Sequence, residues 1–493
     1  MRLRGAVPVF LCGLVLSLSG CGRGSPAASV SEAPAQTIAG FGASGAWWPL
    51  DLGWFSPANQ ERAANLLFGP QGMELSVYRY NIGAGGLGVR TPSRAAPGFL
   101  ERPGVYDWTA DPSGLTFLRY AAAAHVPVLI GFANSAPPVW KTPNARTHQR
   151  EACGGGLAPG DEEAYAQYLA DIAVHLHDAD GITLGYISPM NEPDYTFDTC
   201  DQEGMTVAPA QRAVLIRDLA AQLQSRAPYT RIIADESSQV SRQLLPEAPR
   251  WLPQVAGDIA AIAHHTYDYP NSATLRRAAA VLGRYGRPLW MTEICCYNGK
   301  GFGRGYDPTM TGAMWLADDI WRDLTQADDA SFQWWLAFSS ALGCDPTGQA
   351  GCPSQPNARG WNDGLVYYDP NFRLDGNQTL YLTKRFWVLG NFSRYVRPGA
   401  VRHDVSGVPA GLRVAAFATT SGWTVVAIND RVAGTAPVTL RLRFPAGSHP
   451  HAVGAFQTSA SRDLQAVRLP SMHGGTMRDS LPPESVTTFL LGR

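Results

Sequence analysis

The chain has 493 residues, 45% of them hydrophobic and 16% charged, with a formal net charge of −1. That length accommodates one large domain and a smaller companion, and that apolar content builds a sizeable core, which excludes an intrinsically disordered chain. The near-neutral balance excludes the basic surface that a phosphate backbone requires, so no nucleic-acid partner is expected.

At the N-terminus, Arg2 and Arg4 precede an apolar run over 7–18 followed by small residues. This is the pattern of a secretory signal and is too short to span a bilayer. The run ends Leu18-Ser19-Gly20-Cys21, which resembles a bacterial lipobox. Cleavage would remove 1–20 and leave Cys21 lipidated. The protein is then expected outside the cytoplasm, periplasmic or at the cell surface, touching the membrane through its lipid anchor only. Residues 21–35, rich in Gly, Ser, Ala and Pro, read as the lipidated Cys and a flexible tether.

Over 36–398, strand and helix signals alternate. Apolar strands centre near 41, 78, 129, 185, 233, 261, 290 and 335. Helical periodicity marks 57–67, opened by Ser56 as N-cap and Pro57 at the first helical position, and also 161–177, 209–226, 308–326 and 380–390. Continuous apolar strands between helices imply a parallel sheet buried on both faces, and eight such units imply a closed (β/α)8 TIM barrel. Over 399–493 the texture changes to short alternating runs at 412–417, 423–428, 438–444 and 486–491, which predict an antiparallel side β-sandwich. The expected fold class is therefore α/β, a TIM barrel with a C-terminal β-sandwich, and the chain is expected to act as a monomer.

Export makes disulfides the expected state of the cysteines beyond the leader. Cys344 and Cys352 bracket a Gly/Pro/Asp-rich loop, and Cys153 and Cys200 fall in two loops on one barrel face, so these form the expected pairs. Cys295 and Cys296 either bridge each other or stay reduced. No cysteine spacing matches a zinc ribbon, so no metal is expected.

Two strands end on carboxylates. Ile187-Ser188-Pro189-Met190-Asn191-Glu192-Pro193 delivers Glu192 after the fourth strand, and Pro288-Leu289-Trp290-Met291-Thr292-Glu293 delivers Glu293 after the seventh. On a barrel both project into the central pocket, and retaining glycoside hydrolysis needs two carboxyl groups about 5–5.5 Å apart, one as acid/base and one as nucleophile. Asn191 is placed to bond the sugar 2-hydroxyl. Two carboxylates and water suffice for this chemistry, so no cofactor is expected. No Gly-x-Ser-x-Gly elbow, calcium loop or Gly-rich phosphate loop competes with this reading.

Met190-Asn191-Glu192-Pro193, Met291-Thr292-Glu293, Arg79-Tyr80-Asn81 and His265-Thr266-Tyr267 together resemble glycoside hydrolase family 30, in the clan of retaining glycosidases with catalytic residues on strands 4 and 7. The resemblance covers about 36–493. It implies Glu192 as acid/base, Glu293 as nucleophile, Arg79 keeping Glu293 ionised and Tyr267 donating to it. It also implies a barrel fused to a side β-sandwich to which residues before the barrel add a strand. Arg79 and His265 each have a plainer alternative: Arg79 as a barrel-floor salt bridge and His265 as a core histidine.

The stretches 41–48, 79–85 and 133–140 are similar to the endo-β-1,6-galactanase branch, which cuts β-1,6-galactan side chains of arabinogalactan. That likeness implies that Asn134 and Trp47 or Trp48 line the −1 subsite. Trp334 and Trp335 end the eighth strand, where either one floors the pocket or both are core. Pro138-Val139-Trp140 departs from the two adjacent aromatics more usual in the branch. The expected function is hydrolysis of β-linked galactan in a polysaccharide or oligosaccharide. The alternatives are β-glucosidase, β-1,6-glucanase or glucosylceramidase-like activity, or a non-catalytic glycan-binding lipoprotein.

Overall fold

The computed structural model describes residues 27–493. The expected signal segment, 1–20, and Cys21 lie outside the described residues. Eight parallel strands close a barrel: β1 Gly40–Ser44, β2 Val77–Ile82, β3 Val128–Ala133, β4 Tyr186–Ser188, β5 Arg231–Ser237, β6 Ile259–His265, β7 Leu289–Glu293 and β8 Ser331–Ser339. Closure comes from the pairing of β8 with both β7 and β1. Strand parity sorts the side chains. Val77, Ile130, Ile233, Ala263 and Trp290 form one apolar cluster whose members come from strands all round the sheet, so it fills the barrel interior. Tyr78, Tyr80, Leu129, Ile262 and Met291 point outward to the helices. At Gly42 an added Cβ would lie 2.6 Å from the Val77 side chain, so only glycine fits the narrow floor there.

The helices form where capping and periodicity agree. Ser56 Oγ accepts from the Asn59 amide at the start of Pro57–Phe68, with Pro57 at the first helical position. Glu162–Asp178 buries Tyr165, Tyr168, Leu169, Ile172 and Leu176 on one face. Three further helices, Pro112–Ala123, Leu245–Val255 and Ser272–Leu282, complete the outer ring where the sequence reading had marked none. Two of them carry signals that are clear in retrospect: Asp111 and Asn271 each cap a helix N-terminus with a side-chain oxygen. The third contains Pro249 and Pro253, which mask a helical pattern. Among the described residues no helix is long and apolar enough to cross a membrane.

The side domain has ten strands in one hydrogen-bonded order. Two of its strands, Leu412–Thr419 and Gly422–Asn429, explain their apolar runs by facing two cores at once. Val414, Ala416, Val425 and Ala427 join the domain's own core, while Ala415, Phe417, Val426 and Ile428 join the barrel-side core. The helix Lys384–Ser393 lies between them, its buried Asn391 bonded to Thr458 and Thr488.

The expected tether is corrected. Residues 28–35 are not a free linker but belong to the strand Ala28–Thr37, which pairs antiparallel with Val401–Ser406 and parallel with Val438–Arg443. The reason is burial: Ala28 and Val30 enter the side-domain core at 1% and 5% exposure. Deleting 27–35 from the mature protein should therefore lower Tm by more than about 5 °C in a thermal melt; a free tether would leave Tm unchanged.

Candidate active site

The barrel's C-terminal end carries a cavity of about 500 Å³, lined among others by Glu192, Glu293, Tyr267, Trp47, Trp335 and the Cys295–Cys296 pair. The polar centre is built from five strands, β2 and β4 to β7. Arg79 on β2 is fully buried and donates from Nη1 to Glu293 Oε2 at 2.6 Å and from Nη2 to Asn191 Oδ1 at 2.8 Å. It also lies 3.4 Å from Glu236 on β5. Arg79 is thus at the centre of the site and not on the barrel floor. Tyr267 donates its hydroxyl to Glu293 Oε1 at 3.0 Å. His265 sits between carboxylates, with Nδ1 3.2 Å from Glu192 Oε1 and Nε2 3.0 Å from Glu236 Oε2.

One carboxylate oxygen each of Glu192 and Glu293 and a ring nitrogen of His265 all lie within 4.8 Å of one another. Such a trio could in principle hold a metal ion, but Arg79 beside Glu293 and a protonated His265 oppose a further cation. The two carboxylates are close enough for one to attack a sugar carbon while the other serves its leaving oxygen.

The remaining expected contacts divide. Trp47 and Trp335 line the cavity with rings at 86° and centroids 5.0 Å apart, and the Arg94 guanidinium covers Trp47 at 4.6 Å. Trp48 is corrected: at 2% exposure it packs on Phe117 and Phe338 and donates to Ser44 O, because the chain turns into the short helix Trp48–Leu52 and carries it into the core. Trp334 is likewise core, donating to Asp363 O. Asn134 is buried beneath the rim and donates to Asn81 Oδ1 at 2.8 Å. The bridges Cys153–Cys200 and Cys344–Cys352 are present, and Cys295 and Cys296 bridge each other.

Glu236 is the residue that sequence reasoning missed. The signal was a third strand, Ile232-Ile233-Ala234-Asp235-Glu236, ending on acids. Parity from the inward Ile233 would aim Asp235 into the barrel. The alternation breaks here instead, beside a register irregularity between Asp235 and Ser237: Asp235 turns out to Arg212 at 2.7 Å and Glu236 turns inward. The same device acts on β7. Trp290 points inward, and an irregularity between Met291 and Glu293 lets both Thr292 and Glu293 face the site. Left-handed backbone at Glu192, Glu236, Trp47 and Cys296 (φ 45°, 64°, 66° and 66°) accompanies these turns. Such conformations cost about 1–3 kcal/mol each and persist only where the surroundings impose them.

Electrostatics follow from burial. Burial opposes charge on Glu236, but Arg79, His265 and Thr292 hold its carboxyl down at about 2. Burial also opposes charge on His265, yet Glu293, Glu192 and Glu236 push it up to about 10. Both ring nitrogens face carboxylate oxygens, as an imidazolium requires. Burial raises the Glu293 carboxyl above its ordinary value, with Glu192 adding to the rise and His265 and Arg79 opposing it. Arg79 is close enough to favour the anion, but desolvation outweighs it. Two cations, Arg79 and His265, thus face the three carboxyl groups of Glu192, Glu236 and Glu293.

Because the His265 pKa is raised from about 6.5 to about 10, its stabilising contribution is complete below pH 6.5 and lost as pH rises through 10. His265→Gln should therefore lower Tm most at pH 6, and the deficit should shrink by at least half at pH 10. A pH-independent deficit in thermal melts would contradict a charged His265.

Comparison with known proteins agrees with this geometry. A family model described as O-glycosyl hydrolase family 30 matches residues 28–343. The glucuronoxylanase XynC of Bacillus subtilis (strain 168) is 26% identical over 336 residues, 67% of this chain and 66% of that protein. An endo-β-1,6-galactanase of Hypocrea rufa is 28% identical over 218 residues, 38% of this chain and 44% of that protein. The chain thus spans about two thirds of the xylanase and less than half of the galactanase. The catalytic domain of GH30 xylanase C from Talaromyces cellulolyticus superposes with a TM-score of 0.70 at 24% identity, over 95% of this chain and 100% of that one, a likeness of fold. The family match spans well over half of the chain, and the chain belongs to O-glycosyl hydrolase family 30.

Proposed function

We infer that the protein is a retaining glycosidase that cleaves β-1,6-linked galactan, with Glu293 as nucleophile and Glu192 as acid/base. The observation that carries the mechanism is the placement of the two carboxylates within 4.8 Å, with Arg79 and Tyr267 both donating to Glu293. Those two donors favour the ionised form of Glu293 above its raised pKa. Glu192 has neither donor, and its side chain is 15% exposed toward the cavity, which places it to exchange a proton with the leaving group and with water.

In the first step Glu293 attacks the anomeric carbon while Glu192 protonates the departing oxygen, leaving a covalent glycosyl-enzyme. Glu192, now ionised, takes a proton from water, and the water oxygen displaces Glu293. Asn191, fixed by Arg79, is positioned to bond the 2-hydroxyl of the sugar. Glu236 carries the negative charge that keeps His265 and Arg79 in place without facing the sugar.

Support for galactan comes from the stretches 41–48, 79–85 and 133–140 and from the galactanase relative. The xylanase relative aligns over more of the chain and makes xylan the second reading. We further infer that the enzyme works outside the cytoplasm, held by a lipid on Cys21; three disulfides among the described residues support an oxidising compartment.

Protein lacking 1–21, assayed on de-arabinosylated arabinogalactan, β-1,6-glucan, laminarin, xylan and aryl β-glycosides, should release galactose or β-1,6-galacto-oligosaccharides from the first. Release from xylan alone would overturn the galactan reading. On the active substrate, Glu293→Gln should lower kcat by at least about 10³-fold and Glu192→Gln by about 10²–10⁴-fold. The Glu192→Gln loss should be much smaller on an aryl glycoside whose leaving group needs no proton; equal losses on both substrates would contradict the acid/base role.

A further inference from the structure

The bridge between Cys295 and Cys296 needs a reason. A disulfide stabilises a fold chiefly by closing a loop of the unfolded chain, and the gain grows with loop length. Cys153–Cys200 spans 47 residues and ties the loops after β3 and β4. Cys295–Cys296 has a separation of 1 and ties nothing to anything else. Its value therefore lies in the surface that it makes. Both cysteines are almost fully buried, at 1% and 4% exposure, yet both line the cavity that holds Glu192 and Glu293.

The bridge is held rigidly. The Cys296 amide donates to Asn362 O and the Gly303 amide donates to Cys296 O, each at 3.1 Å. Tyr269 donates its hydroxyl to Cys295 O at 2.8 Å. The Cys295 sulfur lies 3.9 Å from the hydroxyl of Tyr267, the donor to Glu293. Phe302, 58% exposed on the same loop, packs against Tyr267 and Trp361, with centroids at 5.7 and 5.6 Å. A joined pair of sulfurs offers a rigid, polarisable, apolar surface with no strong hydrogen-bonding demand, the character that packs against the C–H face of a hexose.

We propose that the Cys295–Cys296 disulfide is part of the sugar-binding surface, a specificity-determining plate that contacts the apolar face of a bound hexose beside Glu293. The proposal rests on the glycosidase reading of this cavity but not on the identity of the sugar. Because the bridge closes no long loop, removing it leaves the fold and takes away contact area.

The test uses β-1,6-galactotriose, or xylotriose if that is what the wild type hydrolyses. The second case ends the galactan reading and still tests the plate. Cys295→Ala/Cys296→Ala should raise KM about fivefold while kcat changes less than about twofold, since a ground-state contact is lost. An unchanged KM would overturn the proposal, as would a kcat loss at constant KM, which would mean that the bridge only positions Glu293. Should the double variant not fold, a crystal structure of Glu293→Gln with the trisaccharide decides. A sulfur within about 4 Å of a sugar carbon supports the plate, and no sulfur within reach refutes it.

Discussion

The site depends on one buried guanidinium. Arg79 touches Glu293 and Asn191 and lies beside Glu236, with no exposure to water. A buried cation is tolerated only when it is paired, and here the pairing reaches residues from β4, β5 and β7. Asn191 is held in place for the sugar, Glu293 is fixed by both of its oxygens, and Glu236 ionises fully because Arg79 and His265 face it. His265 in turn charges because three carboxyls surround it. The cluster thus gathers two cations and three carboxyls in a dry place, where each charge depends on its partners.

The barrel supplies this cluster through departures from its own regularity. An ideal strand alternates in and out, so one strand end presents a single side chain to the pocket. A register irregularity on β7 lets the consecutive residues Thr292 and Glu293 reach the centre, a break in alternation on β5 turns Glu236 inward, and left-handed turns at Glu192 and Glu236 complete the convergence. The side domain contributes from behind. Its strands share apolar residues with the barrel-side core, and Asn391 binds the intervening helix to it. These contacts anchor the chain that follows β8, the same stretch that supplies Trp361 and Asn362 to the cavity wall and the Cys296 contact.

How much of this was legible follows from which physical signals are local. The barrel was legible because β3 is apolar on both faces, because β7 opens on the apolar run Leu289-Trp290-Met291, and because Ser56-Pro57 marks a helix start by composition alone. Glu192 and Glu293 were legible as candidates because each stands at the end of an apolar run. Glu236 was not, since period-2 reasoning favours Asp235 and the strand breaks that alternation at its end. Trp47 and Trp48 are adjacent and alike in sequence, and one turn of backbone sends one to the cavity and the other to the core. The strand Ala28–Thr37 looked like a linker because its composition is small and Pro-containing; what orders it is pairing with strands almost 400 residues away, a contact without local signature.

The central claim is that Glu192 and Glu293 face each other across a gap short enough for direct attack on the anomeric carbon. The most direct measurement is proton NMR of the first product formed by wild-type enzyme from its β-linked substrate, recorded before mutarotation. The account predicts that the β-anomer appears first and equilibrates slowly to the mixture. Initial release of the α-anomer would mean inversion by a water placed between the carboxylates, and would contradict it.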